Sequence, residues 1–193
     1  MRIGIIGKGN VGTALGTGLK RTGHEIRYGH RDPKEPVLEA ARWGEVVIFA
    51  VPFSTVKEVA NTVRSAVEGK PVVDVTNVLG FRGEWSVGFT TSGAEELQKM
   101  LPKSHVVKAF NTVFAQNQSS GRVGKEQLTA FVAGDDAEAK KIIMDLARDI
   151  GFDPVDAGEL RIARYLEPVG FLMINLGNTL KMGTNIGLKL AKG

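Results

Sequence analysis

Short apolar stretches alternate with amphipathic stretches along almost the whole chain. The apolar stretches are rich in valine and isoleucine, a pattern typical of buried strands. They cover residues 2–6, 24–28, 45–52, 71–76, 106–110, 129–133 and 153–155. Helical spacing predicts helices after Gly12 and over 36–43, 54–67, 92–101 and 135–150, then two helices and a glycine-spaced tail from Glu159. Strands that alternate with helices predict an α/β fold with a parallel sheet covered on both faces.

The same pattern also predicts two helix N-caps and one long loop. Ser54 and Ser92 precede helical stretches and are expected to act as their N-caps, Ser92 together with Glu95 in a capping box. Residues 111–125 are polar and predict a long loop.

A glycine-rich motif, Gly7-Lys8-Gly9-Asn10-Val11-Gly12, joins the first strand to the first helix. G-x-G-x-x-G in this context predicts a dinucleotide-binding turn. Gly7 allows the tight turn, Gly9 lets the backbone approach a pyrophosphate, and Gly12 allows close helix–strand packing. An ordinary glycine turn in a βα unit is the alternative.

The segment between Arg31 and Glu45 is too short for a helix, a strand and a second crossover, since one crossover needs a dozen or more residues. We therefore predict that the third strand of the usual sheet is missing or vestigial, which would leave the adenine end of the cofactor site open. The expected fold is a doubly wound Rossmann sheet with a shortened first half and a small C-terminal α/β extension. Residues 1–156 would form the nucleotide-binding domain, and 157–193 a helical extension of the same compact unit.

The end of the second strand indicates which nucleotide is bound. Gly29-His30-Arg31 carries an arginine where NAD enzymes usually have an acid, and an arginine fork suits the 2′-phosphate of NADP. His30 and Lys34 are possible neighbours of that phosphate. Asp32 is the alternative, as an NAD-type acid, but Asp32-Pro33 is typical of a turn. Arg31 as a solvated turn residue is the other alternative, and NADP is the predicted cofactor.

Composition narrows the class of protein. The 193 residues contain no cysteine and three histidines, which excludes disulfides and thiolate chemistry and argues against a metal site. The net charge of +4 comes from dispersed basic residues, which favours a small anionic ligand over nucleic acid. No apolar window is long enough for a membrane span, and no leader precedes the strand at Arg2, so a cytoplasmic location is expected.

The carboxyl ends of the strands, where doubly wound sheets bind ligands, carry small, apolar and amide side chains. Asp74 is the exception and is expected inside its strand. Such ends suit hydride transfer by positioning alone, with no catalytic residue, and suit equally a binding protein without a reaction. The predicted cofactor contacts are Gly7, Lys8, Gly9, Asn10, Val11, Gly12, His30, Arg31, Lys34, Ala50, Val51, Pro52, Asn77, Val78, Ala109 and Asn111.

Two residues near these ends have competing interpretations. Lys108 lies within an apolar strand, and a snorkelling position at the sheet edge is favoured over contact with an anionic acceptor. Trp85, between Phe81 and Phe89, is interpreted as a loop anchor, with a lid as the alternative.

Several segments together resemble the NADPH-dependent deazaflavin (coenzyme F-420) reductase family and the related reductase domains of metalloreductases. They are Arg2 to Gly12, Gly29-His30-Arg31, Val51-Pro52, Val106 to Val113, Asp156-Ala157-Gly158, Ala163-Arg164 and Leu166-Glu167-Pro168. The resemblance implies a homodimer with NADP across the strand ends. It also implies a deazaflavin near Asn111, Val113 and Ala115, against the tail at Ile186.

The predicted function is therefore hydride transfer between NADP(H) and a deazaflavin or related flavin, with a small-molecule redox acceptor as the partner. The alternatives are an NADPH-dependent ferric or flavin reductase, and an NADPH-binding sensor without turnover. The sequence leaves the identity of the acceptor open.

Overall fold

The computed structural model describes residues 1–79 and 89–191, so Phe81 and Trp85, the candidate lid residues, lie outside the described part. The strands are β1 (Arg2–Ile6), β2 (Glu25–Gly29), β3 (Val46–Phe49), β4 (Pro71–Asp74), β5 (His105–Lys108), β6 (Arg122–Val123), β7 (Glu126–Gln127), β8 (Thr129–Gly134) and β9 (Asp153–Gly158). The α-helices are α1 (Asn10–Arg21), α2 (Val37–Trp43), α3 (Val56–Val63), α4 (Gly93–Met100), α5 (Ala115–Gln118), α6 (Ala137–Ile150) and α7 (Ala163–Ile174).

The central sheet has the strand order β2-β1-β3-β4-β5-β8-β9. The first five strands are parallel, as predicted, but β8 runs antiparallel to β5 and parallel to β9. The connection from β5 to β8 contains the four-residue helix α5 and the short β6–β7 hairpin. Because antiparallel neighbours need no crossover helix, this connection reverses the chain without recrossing the sheet.

Strand β2 is the edge of this sheet, and α2 leads directly from it to β3 on the far side of β1. The prediction of a missing third strand is confirmed. The sheet is therefore a doubly wound α/β sheet with a shortened first half, and the outer side of β2 has no neighbouring strand among the described residues.

Apolar side chains cover both faces of the sheet, as alternating strands and helices require. On one face, Leu15 of α1 and Ile143 of α6 pack with Ile5 and Val107. On the other face, residues of α2, α3 and α4 pack against β3 and β4. In the described part of the chain, each helix falls short of the length and apolar character that a bilayer crossing demands.

Three local predictions need correction. The predicted helix 54–67 is α3 flanked by two 3₁₀ turns. Ser54 is not its N-cap, because Ser54 lies inside the first of these turns, where the Thr55 hydroxyl donates to the Pro52 carbonyl. The loop 111–125 contains α5 and part of the β6–β7 hairpin. From residue 160 the chain forms one continuous helical segment in place of the two predicted helices. A 3₁₀ turn, α7 and a π-helical turn follow one another directly, since the junction residues Ile162 and Asn175 keep helical backbone angles.

The N-cap prediction for α4 is confirmed. The Ser92 hydroxyl accepts a hydrogen bond from the Glu95 backbone N–H at 3.2 Å and donates one to the Glu95 carboxylate at 2.8 Å. This cap fixes the start of α4, which lies close to the carboxyl ends of β4 and β5 through contacts described below.

Candidate functional site

The glycine-rich turn after β1 has a backbone that side chains would obstruct. Gly7 has a φ of 107°, and its N–H donates to the Gly29 carbonyl at the end of β2 at 2.8 Å. A Cβ on Gly7 would collide with the Ala50 carbonyl, and one on Gly12 would collide with the Gly7 carbonyl. Both glycines are therefore required for β1, β3 and α1 to approach one another.

Gly9 is different, because no other part of the described protein lies within 4 Å of the position its Cβ would occupy, its own chain neighbours aside. Gly9 is the N-cap of α1, a helix of 12 residues with no acidic residue in its first turn. The free N–H groups and the positive end of the helix dipole therefore face an open surface. These features fit the pyrophosphate of a dinucleotide.

A carboxylate that sequence reasoning missed lies among the predicted phosphate-binding residues. The Lys8 ammonium donates to both carboxylate oxygens of Glu35, at 2.7 and 2.8 Å, and lies 5.4 Å from the Tyr28 ring centroid. His30 Nε2 is 2.5 Å from Glu35 Oε2. The hydrogen bond from Lys8 lowers the pKa of Glu35 below its ordinary value. We call Lys8, His30 and Glu35 the Glu35 cluster.

Two further basic residues, Arg31 and Lys34, lie between His30 and Glu35 in the chain. Arg31 and Lys34 are exposed, and in the described residues neither side chain is held by an ion pair. The Asp32 carboxylate accepts the Lys34 backbone N–H at 2.9 Å, so Asp32 is a turn residue, as predicted.

A groove of about 390 Å³ runs along the outer side of β2, where a third strand would otherwise pair. It is lined by Ile26, Arg27, Tyr28, Lys34, Glu35, Pro36 and Glu39. The groove lies beside the glycine turn, since Glu35 lines the groove and its carboxylate contacts Lys8 of that turn.

At the carboxyl ends of β4 and β5, two amide side chains are paired. Asn77 Nδ2 donates to the Asn111 backbone carbonyl at 3.0 Å, and Asn111 Nδ2 donates to Asn77 Oδ1 at 3.0 Å. Asn111 Nδ2 also donates to the Leu166 carbonyl of α7 at 2.8 Å. Phe110 has a φ of 63°, a left-handed conformation rare for a large side chain. This strained residue directs Asn111 toward Asn77 at the end of the sheet.

The remaining predicted contacts differ in accessibility. Ala109 and Val78 are fully buried, and Val113 is 6 % exposed and belongs to the hydrophobic core. Pro52 is exposed at the end of β3, beside the partly exposed Ala50 and Val51.

The prediction of a snorkelling Lys108 is wrong. Its ammonium is fully buried and lies 3.0 Å from Asp74 Oδ2, 2.8 Å from Glu167 Oε1 and 2.6 Å from the Thr76 carbonyl. Burial alone lowers the pKa of Lys108, but the charges of Asp74 and Glu167 outweigh burial and raise that pKa above its ordinary value. The three residues form what we call the buried triad.

The buried triad joins α7 to the sheet. Glu167 also accepts the backbone N–H groups of Gly93 and Ala94 at the start of α4, at 2.9 and 3.2 Å. The sequence offered one signal for this arrangement, a lysine within an apolar strand. The structure adds that Lys108 lies opposite Asp74 in the parallel pairing of β4 and β5. The triad thus fixes α7 at Glu167, the residue after Leu166, whose carbonyl accepts from Asn111 of the paired amides.

The tail after α7 lies beside α5. Asn117 Nδ2 is 3.3 Å from the Thr184 carbonyl and 3.2 Å from the Ile186 carbonyl. The Thr129 N–H donates to the Leu188 carbonyl at 2.9 Å, which holds the tail along the start of β8. The structure therefore brings Ile186 close to the short helix that begins at Ala115.

The chemistry available at the ends of β3, β4 and β5 is limited to positioning. Among the described residues there, the titratable groups are Asp74 and Lys108, both buried and ion-paired to each other. The described residues also contain no group of three or more histidine, aspartate or glutamate side chains that could hold a metal ion. The described residues of these strand ends can orient a planar ligand between amide and apolar groups, but they include no accessible proton donor.

Comparison with known proteins identifies the family. Residues 2–78 match the model of the family described as NADP oxidoreductase coenzyme F420-dependent. The F420-dependent NADP reductase of Methanocaldococcus jannaschii is 31 % identical over 156 residues, which cover 77 % of this chain and 69 % of that protein. Metalloreductase STEAP3 of Rattus norvegicus is 32 % identical over 180 residues, 87 % of this chain but 36 % of that protein.

The chain thus spans about a third of the length of the metalloreductases that it matches. Among solved structures, an Arthrobacter sp. FB24 protein provisionally described as an F420-dependent NADP reductase has a TM-score of 0.92 at 27 % identity, with both chains covered completely. The glycine turn, the strand order and these matches agree, and the chain belongs to the coenzyme F420-dependent NADP oxidoreductase family.

Proposed function

We propose that the chain transfers a hydride between NADP(H) and a deazaflavin of the coenzyme F420 type. The observation that carries this proposal is the combination of an open glycine turn with strand ends whose described residues include no accessible acid or base. Hydride transfer between two stacked rings requires alignment and exclusion of water, and the nucleotide supplies the redox chemistry.

The glycine turn and the β2 edge would hold the nucleotide. The N–H groups of Gly9 to Gly12 would donate to the pyrophosphate at the start of α1, where Asn10 is exposed. Arg31 would bind the 2′-phosphate through its planar guanidinium, with Lys8, His30 and Lys34 as further donors.

The ends of β3, β4 and β5 would align the reacting rings. Ala50, Val51 and Pro52 would provide an apolar surface, and the Asn77–Asn111 pair would offer its polar atoms at a fixed position. Buried Val78 and Ala109 would support this surface from beneath. The hydride would carry its electron pair directly from one ring to the other, so these residues would need to align the rings but not to move a proton at the reacting carbon. The proton that accompanies reduction of the acceptor would come from solvent.

The acceptor would lie between Asn111, Val113 and Ala115 on one side and Ile186 on the other. The contacts between Asn117 and the tail support this proposal, because they hold the backbone of Ile186 beside α5. On this proposal, residues 1–156 would bind the nucleotide, and residues 157–193 would complete the acceptor-binding site.

The proposed assembly is a homodimer, with the cytoplasm as its proposed compartment. Exposed Tyr165, Leu172, Leu180 and Met182 on α7 and the tail support a contact between two copies. Sedimentation equilibrium measures the assembly directly.

Steady-state oxidation of NADPH, followed with coenzyme F420, FMN, FAD and ferric chelates in turn, tests the proposed activity. We expect turnover with the deazaflavin and little with the others. Turnover with ferric chelates or flavins instead would favour a flavin or ferric reductase, a possibility motivated by the metalloreductase relatives. Tight NADPH binding without turnover on any acceptor would refute the proposed activity and favour a sensor.

A further inference from the structure

The Glu35 cluster places a carboxylate on the donors that a phosphate would use. Lys8 donates twice to Glu35, and His30 contacts the same carboxylate. Both basic residues belong to the proposed nucleotide site, so this inference rests on the proposed function. A carboxylate and a phosphate oxygen have the same requirements, namely hydrogen-bond donors and positive charge.

Backbone contacts fix the position of Glu35. The His30 N–H donates to the Glu35 carbonyl at 2.9 Å, and the Glu35 N–H donates to the Asp32 carbonyl at 2.9 Å. The turn between β2 and α2 therefore returns Glu35 to the end of β2. These backbone bonds place the Glu35 side chain within reach of Lys8.

We propose that Glu35 is a specificity-determining residue that competes with the nucleotide 2′-phosphate for Lys8 and His30, and so limits the preference for NADPH over NADH. For the phosphate to gain both donors, the Glu35 carboxylate must release them. The Glu35 carboxylate and a bound 2′-phosphate would also repel each other, since the phosphate carries nearly two negative charges.

The charges around the cluster support selective competition. Lys8, Arg31 and Lys34 supply three cations, and Asp32 and Glu35 supply two carboxylates. The Asp32 carboxylate is engaged with the Lys34 backbone N–H. Glu35 is therefore the carboxylate that occupies the Lys8 and His30 side chains. Its removal should increase the attraction of this site for the 2′-phosphate dianion far more than for a ribose 2′-hydroxyl.

The Glu35→Gln substitution tests the proposal, with binding measured by calorimetry. The probes are adenosine 2′,5′-bisphosphate, which has a 2′-phosphate, and adenosine 5′-monophosphate, which has none. We expect the dissociation constant of the bisphosphate to fall about tenfold and that of the monophosphate to change less than twofold. Glu25→Gln, at the opposite end of β2, removes the same charge at an exposed position and should alter neither value.

A second measurement separates competition from a general charge effect. If Glu35 acts through Lys8, the gain from Glu35→Gln should largely disappear in a Lys8→Met background. Unchanged or weaker bisphosphate binding in Glu35→Gln would overturn the proposal, as would an equal gain for both probes. Neither probe contains a nicotinamide ring, so a failure of hydride transfer leaves this result standing. Conversely, active NADPH turnover with no Glu35 effect would refute this inference alone.

Discussion

Replacing Lys108 with methionine would remove the counterion that two buried carboxylates share. Asp74 and Glu167 are each 1 % exposed, and the Lys108 ammonium lies within 3.0 Å of both. Methionine preserves the unbranched stem of lysine, so the variant creates little empty volume and chiefly removes the charge.

The expected loss follows from what each carboxylate retains. Removing one partner of a buried ion pair typically destabilises a protein by about 3–5 kcal/mol. Glu167 would keep the N–H groups of Gly93 and Ala94, and Asp74 would keep the Thr76 N–H, so we expect the lower part of that range, about 3–4 kcal/mol. For a chain of this length, that loss lowers the melting temperature by roughly 6–16 °C.

Urea unfolding followed by circular dichroism measures the loss of stability. Lys141→Met is a matched control, because Lys141 is 70 % exposed and its ion pair with Asp145 is solvated. The control should leave the unfolding midpoint essentially unchanged. A double variant, Lys108→Met with Glu167→Gln, should recover part of the loss because it removes one uncompensated charge.

A loss smaller than about 1 kcal/mol for Lys108→Met would contradict this reasoning, since an ammonium that neutralises buried carboxylates must contribute more than a surface ion pair. Equal losses for Lys108→Met and Lys141→Met would contradict it as well.

Three further predictions concern other parts of the molecule. Arg31→Ala should weaken NADPH binding about 10–100-fold and leave NADH binding nearly unchanged, because a hydrogen bond to a charged group is worth about 1.5–3 kcal/mol. Equal losses of affinity for both nucleotides in calorimetry would rule out contact between Arg31 and the 2′-phosphate. Arg164 lowers the pKa of Glu95 below its ordinary 4.5, so this pair should stabilise the fold above about pH 4.5 and lose its effect as the pH falls through the lowered pKa. Glu95→Gln should therefore show weaker acid dependence in urea midpoints, and an unaltered dependence would argue against the pair. Deleting the chain after Lys181 should preserve NADPH affinity but raise the acceptor KM or abolish turnover; a folded truncation with the parent rate would exclude the tail from the site.

Local sequence patterns were sufficient for the features that depend on neighbouring residues. The glycine turn, the Ser92 cap and the missing third strand each follow from a motif or from the length of a single segment. Steric limits on a turn, the donors of one helical end and the length of a crossover operate over a few residues, so the order of amino acids expresses them directly.

Charged groups that meet across the fold were not predictable in this way. Lys108 and Glu167 are 59 residues apart, and the lysine became buried because α7 returns its carboxylate to the sheet. Lys8 and Glu35 are 27 residues apart and meet where β1, β2 and the following turn converge. The direction of β8 likewise depended on how a long connection packs. Whether a charge is exposed, neutralised or in competition with a ligand depends on partners distant in sequence, and tertiary packing is what brings those partners together.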